Sequence, residues 1–287
     1  METESRPGLA PVNEILSDKR LPPIADFDLY GYGFLSNHGS YIIAVRDEAH
    51  LAEIMEFIHS NIARELGRKE YSNWRGRFWG RRGRPIPILS DEDLIDRMRY
   101  LISNSTKENI VEHPIQWPGA HCAKALCSGK PDMGLWIDRT GLYRANLRKG
   151  RTLVSRFETE YPVHLSQIPC WAGLSAEEYR ARLVEMCDDI ADEARLEREA
   201  SGIKGVLGAK AAMRMDPHHI PESMDRSPAP LAHCKDVEGY NWFKDLYRRF
   251  CAQYRQATLA LRAGLEQFGF VGGIPHGCHF RPAPNTG

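Results

Sequence analysis

Apolar residues recur at helical spacing in two segments of the first half of the chain. In residues 50–66 they stand three and four positions apart, and Gly67 follows. One face of such a helix is apolar, and glycine commonly ends a helix. A similar stripe begins after Ser90, whose hydroxyl suits an N-cap ahead of the acidic residues 91–93. The pattern therefore predicts two amphipathic helices, over residues 50–66 and from Ser90 to residue 104.

Two short segments before these helices have the composition of strands. Residues 27–34 (FDLYGYGF) are rich in aromatic side chains, and residues 41–45 (YIIAV) form a short apolar run. The polar residues 36–40 separate them. We predict two strands here, either as a hairpin or as one strand with an irregular middle.

The second half of the chain has the pattern of charged amphipathic helices. Residues 175–200 open with the capping-box pair Ser175 and Glu178, and apolar positions recur again through residues 240–268. Residues 215–234 are rich in Pro, His and Ser and are predicted to form a loop. We predict two domains, residues 1–130 and a mainly helical region at residues 131–287.

The composition argues against a membrane-spanning protein but excludes few other classes of protein. Lys plus Arg equal Asp plus Glu at 38 each, so DNA binding must be argued from local clustering of charge. No apolar run approaches the roughly 20 residues that cross a bilayer, and the first residues do not resemble a secretory signal, so a cytoplasmic protein is expected. The seven cysteines form no CxxC pair and match no common zinc spacing.

Residues 64–84 combine charge with aromatic side chains. They hold eight basic residues against two acidic ones, with four aromatic residues among them. Cations neutralise phosphates and aromatic faces stack on unpaired bases, so single-stranded nucleic acid is a suitable ligand. The alternative is a solvated basic loop whose aromatic residues cap the core. The side chains predicted to bind DNA are Arg75, Arg77, Arg81, Arg82, Trp74 and Trp79.

Three polar residues are candidates for chemistry. On the helix after Ser90, the apolar stripe leaves Tyr100 and Asn104 on the other side, one turn apart. A phenol nucleophile and an amide oxygen on one face can meet a single phosphate, although an ordinary amphipathic tyrosine has the same spacing. His38 lies in the polar break between the predicted strands, where it either meets a ligand or is an inert loop residue.

Several short segments in a fixed order resemble the HUH transposases with one catalytic tyrosine, especially the REP-associated tyrosine transposases. The resemblance covers about residues 26–120 and depends on the order of the set, because each piece alone is weak. The segments that carry it are residues 36–38 (SNH), 41–45, 48–68, 76–82 (GRFWGRR), 100–104 (YLISN), 110–114 (IVEHP) and 117–118 (WP).

The resemblance implies an α+β fold, a ferredoxin-like antiparallel sheet with helices, followed by the mainly helical region. It also implies that Tyr100 attacks a phosphate of single-stranded DNA, and that His38 and Asn104 hold Mg²⁺ or Mn²⁺. The second histidine of the family falls on Ser40, whose neutral hydroxyl is a weaker ligand than imidazole. The family's opening strand is expected upstream of residue 27, where an earlier start would restore it.

The sequence therefore predicts a transposase-like protein that binds single-stranded or hairpin DNA. Cleavage and transfer of a DNA strand by Tyr100 are expected to be weak or lost, because Ser40 replaces a metal ligand. Two alternatives stay open: a fully active metal-dependent DNA transposase, and a domesticated non-catalytic module that binds nucleic acid. A binding module with RNA or protein partners would be indifferent to Tyr100.

Overall fold

A computed structural model describes residues 27–35, 38–68, 76–80, 83–150, 152–216 and 230–264. Within these residues the protein is a mixed α+β structure with two antiparallel strand pairs, which confirms the predicted α+β class. Strand β1 (Asp28–Phe34) pairs with β2 (Gly39–Ala44), and β3 (Asp132–Ile137) pairs with β4 (Glu158–Val163). Of the two alternatives for residues 27–45, the structure has the hairpin.

Seven helices lie in the described residues: α1 (Glu48–Leu66), α2 (Asp91–Lys107), α3 (Ala123–Ser128), α4 (Arg139–Lys149), α5 (Ala176–Ala200), α6 (Ala209–Ala212) and α7 (Val237–Arg262). The predicted caps are confirmed. Ser90 Oγ accepts the Asp93 N–H at 3.1 Å, Ser175 and Glu178 form a capping box, and Gly67 ends α1. None of the described helices is long and apolar enough to cross a membrane.

Strand β1 is the centre of the N-terminal half. Five consecutive residues of β1 are buried, because neighbours cover both of its edges and both of its faces. One edge pairs with β2. On the other edge the Cys122 N–H donates to the Tyr32 carbonyl at 2.8 Å, and the Ser166 N–H donates to the Leu29 carbonyl at 2.8 Å. The nearly continuous apolar sequence of β1 follows from this placement, since a strand buried on both faces does not alternate.

The two faces of β1 are covered by different helices. Tyr41, which pairs with Tyr32 across the hairpin, shares a hydrogen bond of 3.2 Å with His59 of α1. On the opposite face, a Cβ atom at Gly31 would meet Met98 Sδ of α2 at 3.1 Å. Successive residues of a strand point to opposite faces, so the glycines of β1 face α2.

His121 fills the space beside the second of these glycines. A Cβ atom at Gly33 would stand 2.9 Å from His121 Cδ2. His121 Nδ1 accepts the Ala123 N–H at 3.1 Å, so Nε2 carries the proton and faces the Leu101 carbonyl of α2 at 3.4 Å. Burial lowers the pKa of His121 to about 4, and the Leu101 carbonyl opposes that shift. The buried imidazole is therefore neutral and links β1 to α2.

The C-terminal half packs on the same core. Helix α5 lies against α2 and α3, and its Leu183 and Cys187 are fully buried. The Tyr32 hydroxyl donates a hydrogen bond to the Asp132 carboxylate at the start of β3. Residues 1–130 and 131–287, the two predicted domains, thus share buried contacts, and a division at residue 130 stays a prediction.

Strands β3 and β4 were not predicted in the mainly helical region. Twenty residues separate the two strands along the chain, so no tight turn marks them as a hairpin. The helix predicted at residues 240–268 begins three residues earlier, at Val237, and ends at Arg262, so its predicted end is wrong.

The first prediction concerns the contact between Gly33 and His121. We expect Gly33→Ala to lower the free energy of unfolding by about 1–3 kcal/mol, because the added methyl group overpacks a buried site. Gly173→Ala is the control, since a Cβ atom there has no neighbour within 4 Å. Urea unfolding of both variants measures the difference, and equal stability of the two variants would contradict the close contact.

The second prediction concerns pH. The pKa of His121 is lowered to about 4 in the folded protein, whereas an unfolded histidine titrates near 6.5. The unfolded chain therefore binds the proton first, so this contribution to stability is complete above pH ~6.5 and is lost between about 6.5 and 4, by about 3 kcal/mol.

The measurement is the free energy of unfolding in urea between pH 5 and pH 7.5. His121→Gln keeps an N–H donor near the Leu101 carbonyl but does not titrate, so its stability is expected to fall less steeply with decreasing pH. The slope is compared rather than the absolute stability, which the substitution itself can change. Parallel slopes for the two proteins would show that His121 does not titrate as stated.

Candidate functional site

Two of the segments that carry the family resemblance, those with His38 and Trp117, lie at one end of β1. The Trp117 indole N–H donates to the Phe34 carbonyl at 3.0 Å. His38 follows β1 in the turn to β2, and the carboxylate of Glu108, at the end of α2, acts on its pKa. Residues that are far apart in the sequence are thus gathered where β1 ends and α2 passes over it.

Tyr100 lies on the open side of α2, as the helical pattern predicted. Its side chain is 46% exposed. The Arg97 guanidinium carbon stands 5.1 Å from the centre of the phenol ring, and Lys107 Nζ stands 5.4 Å from it. Cations at these distances over the ring stabilise it. They also make the surface around Tyr100 positively charged, which suits an anionic ligand such as a phosphate.

Asn104 does not share the exposure of Tyr100. The prediction that both side chains lie on an open face is wrong for Asn104, which is only 7% exposed. The chain after α2 turns back over its last turn, where the Ile110 and Val111 N–H groups donate to the Ser105 carbonyl at 3.0 and 3.3 Å. This turn covers the end of α2, which a helical wheel for an isolated helix cannot show.

The predicted metal ligands are placed differently from one another. His38 is exposed in its turn; desolvation lowers its pKa, and Glu108 opposes that shift. Ser40 pairs with Gly33, so it lies on the face of the sheet that α2 covers. Over the described residues, no group of three or more His, Cys, Asp or Glu side chains could hold a metal ion.

This donor set does not fit Mg²⁺ or Mn²⁺ well. Mg²⁺ in proteins is usually held by one or two carboxylates together with water, and His38 and Asn104 supply neither carboxylate. The nearby Glu108 has a carboxylate, but it is exposed at the end of α2. A buried amide and an exposed imidazole do not by themselves form a fixed coordination shell.

The basic segment at residues 64–84 is described only in part. Arg75, Arg81, Arg82 and Trp74 lie outside the described residues, and Arg77 is exposed. The Trp79 indole N–H donates to the His59 carbonyl at 2.8 Å, and its ring stands 5.0 Å from Phe78. For Trp79 and Phe78 the structure therefore matches the alternative of aromatic residues that cap the core.

Sequence reasoning did not identify the two cations beside Tyr100. Arg97 precedes Tyr100 by three positions and Lys107 follows it by seven, which is the spacing of one helix face, so the helical wheel could have found them. His121 had no such signal. Its contacts with α2 and β1 depend on a pairing between residues 33 and 121 that no local pattern indicates.

Comparisons of the chain with protein-family models, with curated proteins and with solved structures give no match. The resemblance to the HUH transposases consequently depends on the order of the short segments and on their residues.

Proposed function

We propose that this chain is a transposase-like protein that binds single-stranded or hairpin DNA on the face of α2 that carries Tyr100. Cleavage and transfer of a DNA strand through Tyr100 are weak or lost. The observation that carries the proposal is the exposed phenol of Tyr100 between Arg97 and Lys107, at 5.1 and 5.4 Å from its ring. An exposed phenol between two cations suits a phosphodiester.

The chemistry that the resemblance implies is attack of the Tyr100 oxygen on a phosphorus atom. The attack breaks the bond to one sugar oxygen, which leaves as a hydroxyl and takes a proton, and a phosphotyrosine link forms. Arg97 and Lys107 would neutralise the phosphate charge and hold it near the phenol. A phenol is a weak nucleophile unless a neighbouring group activates it or the phosphate is polarised.

The ferredoxin-like, HUH-transposase-like arrangement is the finer part of the fold proposal. It is supported by the central position of β1, by its hairpin with β2, and by α2, which crosses the sheet with Tyr100 outward. Mg²⁺ or Mn²⁺ at His38 and Asn104 likewise stays a proposal. The replacement of a histidine by Ser40 and the burial of Asn104 both argue for weak chemistry rather than for a fully active enzyme.

The third prediction tests DNA binding through salt dependence. For a single strand, each phosphate that a cation neutralises contributes about 0.7 to the slope of log affinity against log salt. We expect the double variant Arg97→Gln, Lys107→Gln to bind single-stranded DNA with a slope smaller by about one to two. Arg248→Gln, Arg249→Gln on α7 removes the same charge far along the chain and is the control. Equal slopes for the two double variants would contradict the assigned face.

The fourth prediction tests the chemistry of Tyr100. Wild type, Tyr100→Phe and Ser40→His are each incubated with end-labelled single-stranded DNA and Mn²⁺, and a protein–DNA band that survives denaturation is sought. We expect a faint or absent band for wild type, none for Tyr100→Phe, and a stronger band for Ser40→His, because imidazole is a better ligand than a hydroxyl. Calorimetric titration with Mn²⁺ checks the metal affinity of wild type and Ser40→His.

The matched control combines the two substitutions. Ser40→His with Tyr100→Phe must lose any band that Ser40→His gains, whereas Ser40→His with Tyr247→Phe, at an exposed tyrosine of α7, must keep it. A band that persists without the Tyr100 hydroxyl would remove Tyr100 as the nucleophile. A strong band for wild type would favour the fully active transposase, and binding without any band in all variants would favour the non-catalytic module.

A further inference from the structure

A second basic segment joins β3 to β4. Residues 139–157 contain six arginine and lysine residues and no aspartate or glutamate. They form α4 and the short 3-10 helix Val154–Phe157, and are called the basic arm below. Acidic residues flank the basic arm at Asp138 and Glu158, but none interrupts it. Its charge is as concentrated as that of the basic segment at residues 64–84.

The outer side of the basic arm is open to solvent. Arg144 and Arg148 stand one helical turn apart on α4 and are both exposed. Tyr143 and Leu147 beside them are 65% and 69% exposed. Clustered cations are the electrostatic footprint of a surface that meets phosphates, and exposed apolar side chains beside them are typical of an interaction surface.

The shape of the basic arm is fixed by its own hydrogen bonds. The Asp138 carboxylate accepts the Gly141 N–H at 2.9 Å and caps α4. The Asp138 N–H donates to the Phe157 carbonyl at 2.8 Å, which closes the base of the arm. Near the far end, the Thr152 N–H donates to Asn146 Oδ1 at 2.7 Å. A partner would therefore meet a formed surface, which reduces the ordering cost of binding.

Glu65 joins the basic arm to the basic segment at residues 64–84. Its buried carboxylate contacts Arg139 Nη2 at 2.9 Å and Arg68 Nε at 3.0 Å. Arg139 begins α4, and Arg68 lies in the basic segment. One buried acid thus holds together two arginines, one that follows α1 and one that begins α4.

We propose that the basic arm binds the sugar-phosphate backbone of a double-stranded DNA stem. The inference rests on the proposed function, in which hairpin DNA is a ligand. Binding of single strands uses successive aromatic faces, and the outer face of α4 offers only Tyr143. Cations on a helix of 11 residues, about 16 Å long, suit the phosphates that border the ~12 Å major groove of a duplex.

The face of α2 that carries Tyr100 and the basic arm would then bind different parts of the hairpin. The face of α2 with Tyr100 meets the single strand, and the basic arm meets the paired stem. Arginine contacts to phosphate fix the position of a duplex without reading its sequence. The arm is therefore a positioning surface, and it does not take part in the reaction of Tyr100.

The test compares four probes on the full chain: a DNA hairpin with a single-stranded tail, the same hairpin without the tail, the tail alone, and anionic phosphatidylserine vesicles. The variant is Arg144→Glu, Arg148→Glu, and the control is Arg248→Glu, Arg249→Glu, which makes the same change of charge on α7. Fluorescence anisotropy at several salt concentrations gives the slope of log affinity against log salt for each DNA. Thermal unfolding checks that both double variants are folded.

The expected result is a slope for the hairpin that is smaller by about two in the arm variant, since each neutralised duplex phosphate contributes about 0.9 to the slope. Its slope for the tail alone stays that of wild type, and the control matches wild type on both DNAs. Two outcomes would overturn the assignment of the stem to the arm. In one, the arm variant loses as much affinity for the tail as for the hairpin; in the other, it loses affinity for neither DNA. Loss of vesicle binding without loss of hairpin binding would overturn it in favour of a lipid surface.

The result for wild type separates this inference from the proposed function. Wild type that binds a tailless hairpin in an arm-dependent way, but does not bind the tail alone, would overturn the single-strand site and support the arm. If wild type binds the tail alone as tightly as the tailed hairpin, the result supports the single-strand site and overturns the assignment of the stem to the arm.

Discussion

The close approach of α2 to β1 is the constraint on which the rest of the described structure depends. It is possible because Gly31 and Gly33 have no side chains on the face that α2 covers. Met98 and His121 occupy the space that larger residues would take. With Met98 turned toward β1, Tyr100 two positions later lies on the far side of α2, where it is 46% exposed. The two glycines of the buried strand thus fix which side of α2 faces the core.

Burial of β1 on both faces and along both edges also explains how distant segments come together. Residues 120–122 pair with its second edge, and Trp117 donates to the carbonyl at its end. The turn at His38 and the end of α2 then lie at the same end of the strand. The candidate site is assembled by β1, whereas its chemical groups belong to the turn and to α2.

A second interaction organises charge in the protein. Glu65 is a buried carboxylate that contacts two arginines from different parts of the chain. A buried carboxylate is costly without cationic partners, so Arg68 and Arg139 are held beside it. Their pairing joins the first residue of α4 to the end of α1. Neutral net charge therefore conceals a local concentration of positive charge, which an overall count of charges cannot reveal.

Local patterns in the sequence determined the helices and their ends. Ser90, Ser175 with Glu178, and Gly67 occupy the predicted caps, because capping depends on residues a few positions apart. The two strands at residues 27–45 were predicted from their aromatic and apolar composition, with the hairpin as one of two alternatives. The exposure of Tyr100 also followed from the helical period of α2.

Only the tertiary structure decided features that depend on distant residues. The burial of Asn104 comes from the turn that follows α2, the neutral state of His121 from its place between β1 and α2, and the basic arm from strands twenty residues apart. The sequence by itself determined which residue types face one another along a helix or a strand. It could not determine which elements cover them, because burial and charge pairing arise from contacts that no local periodicity encodes.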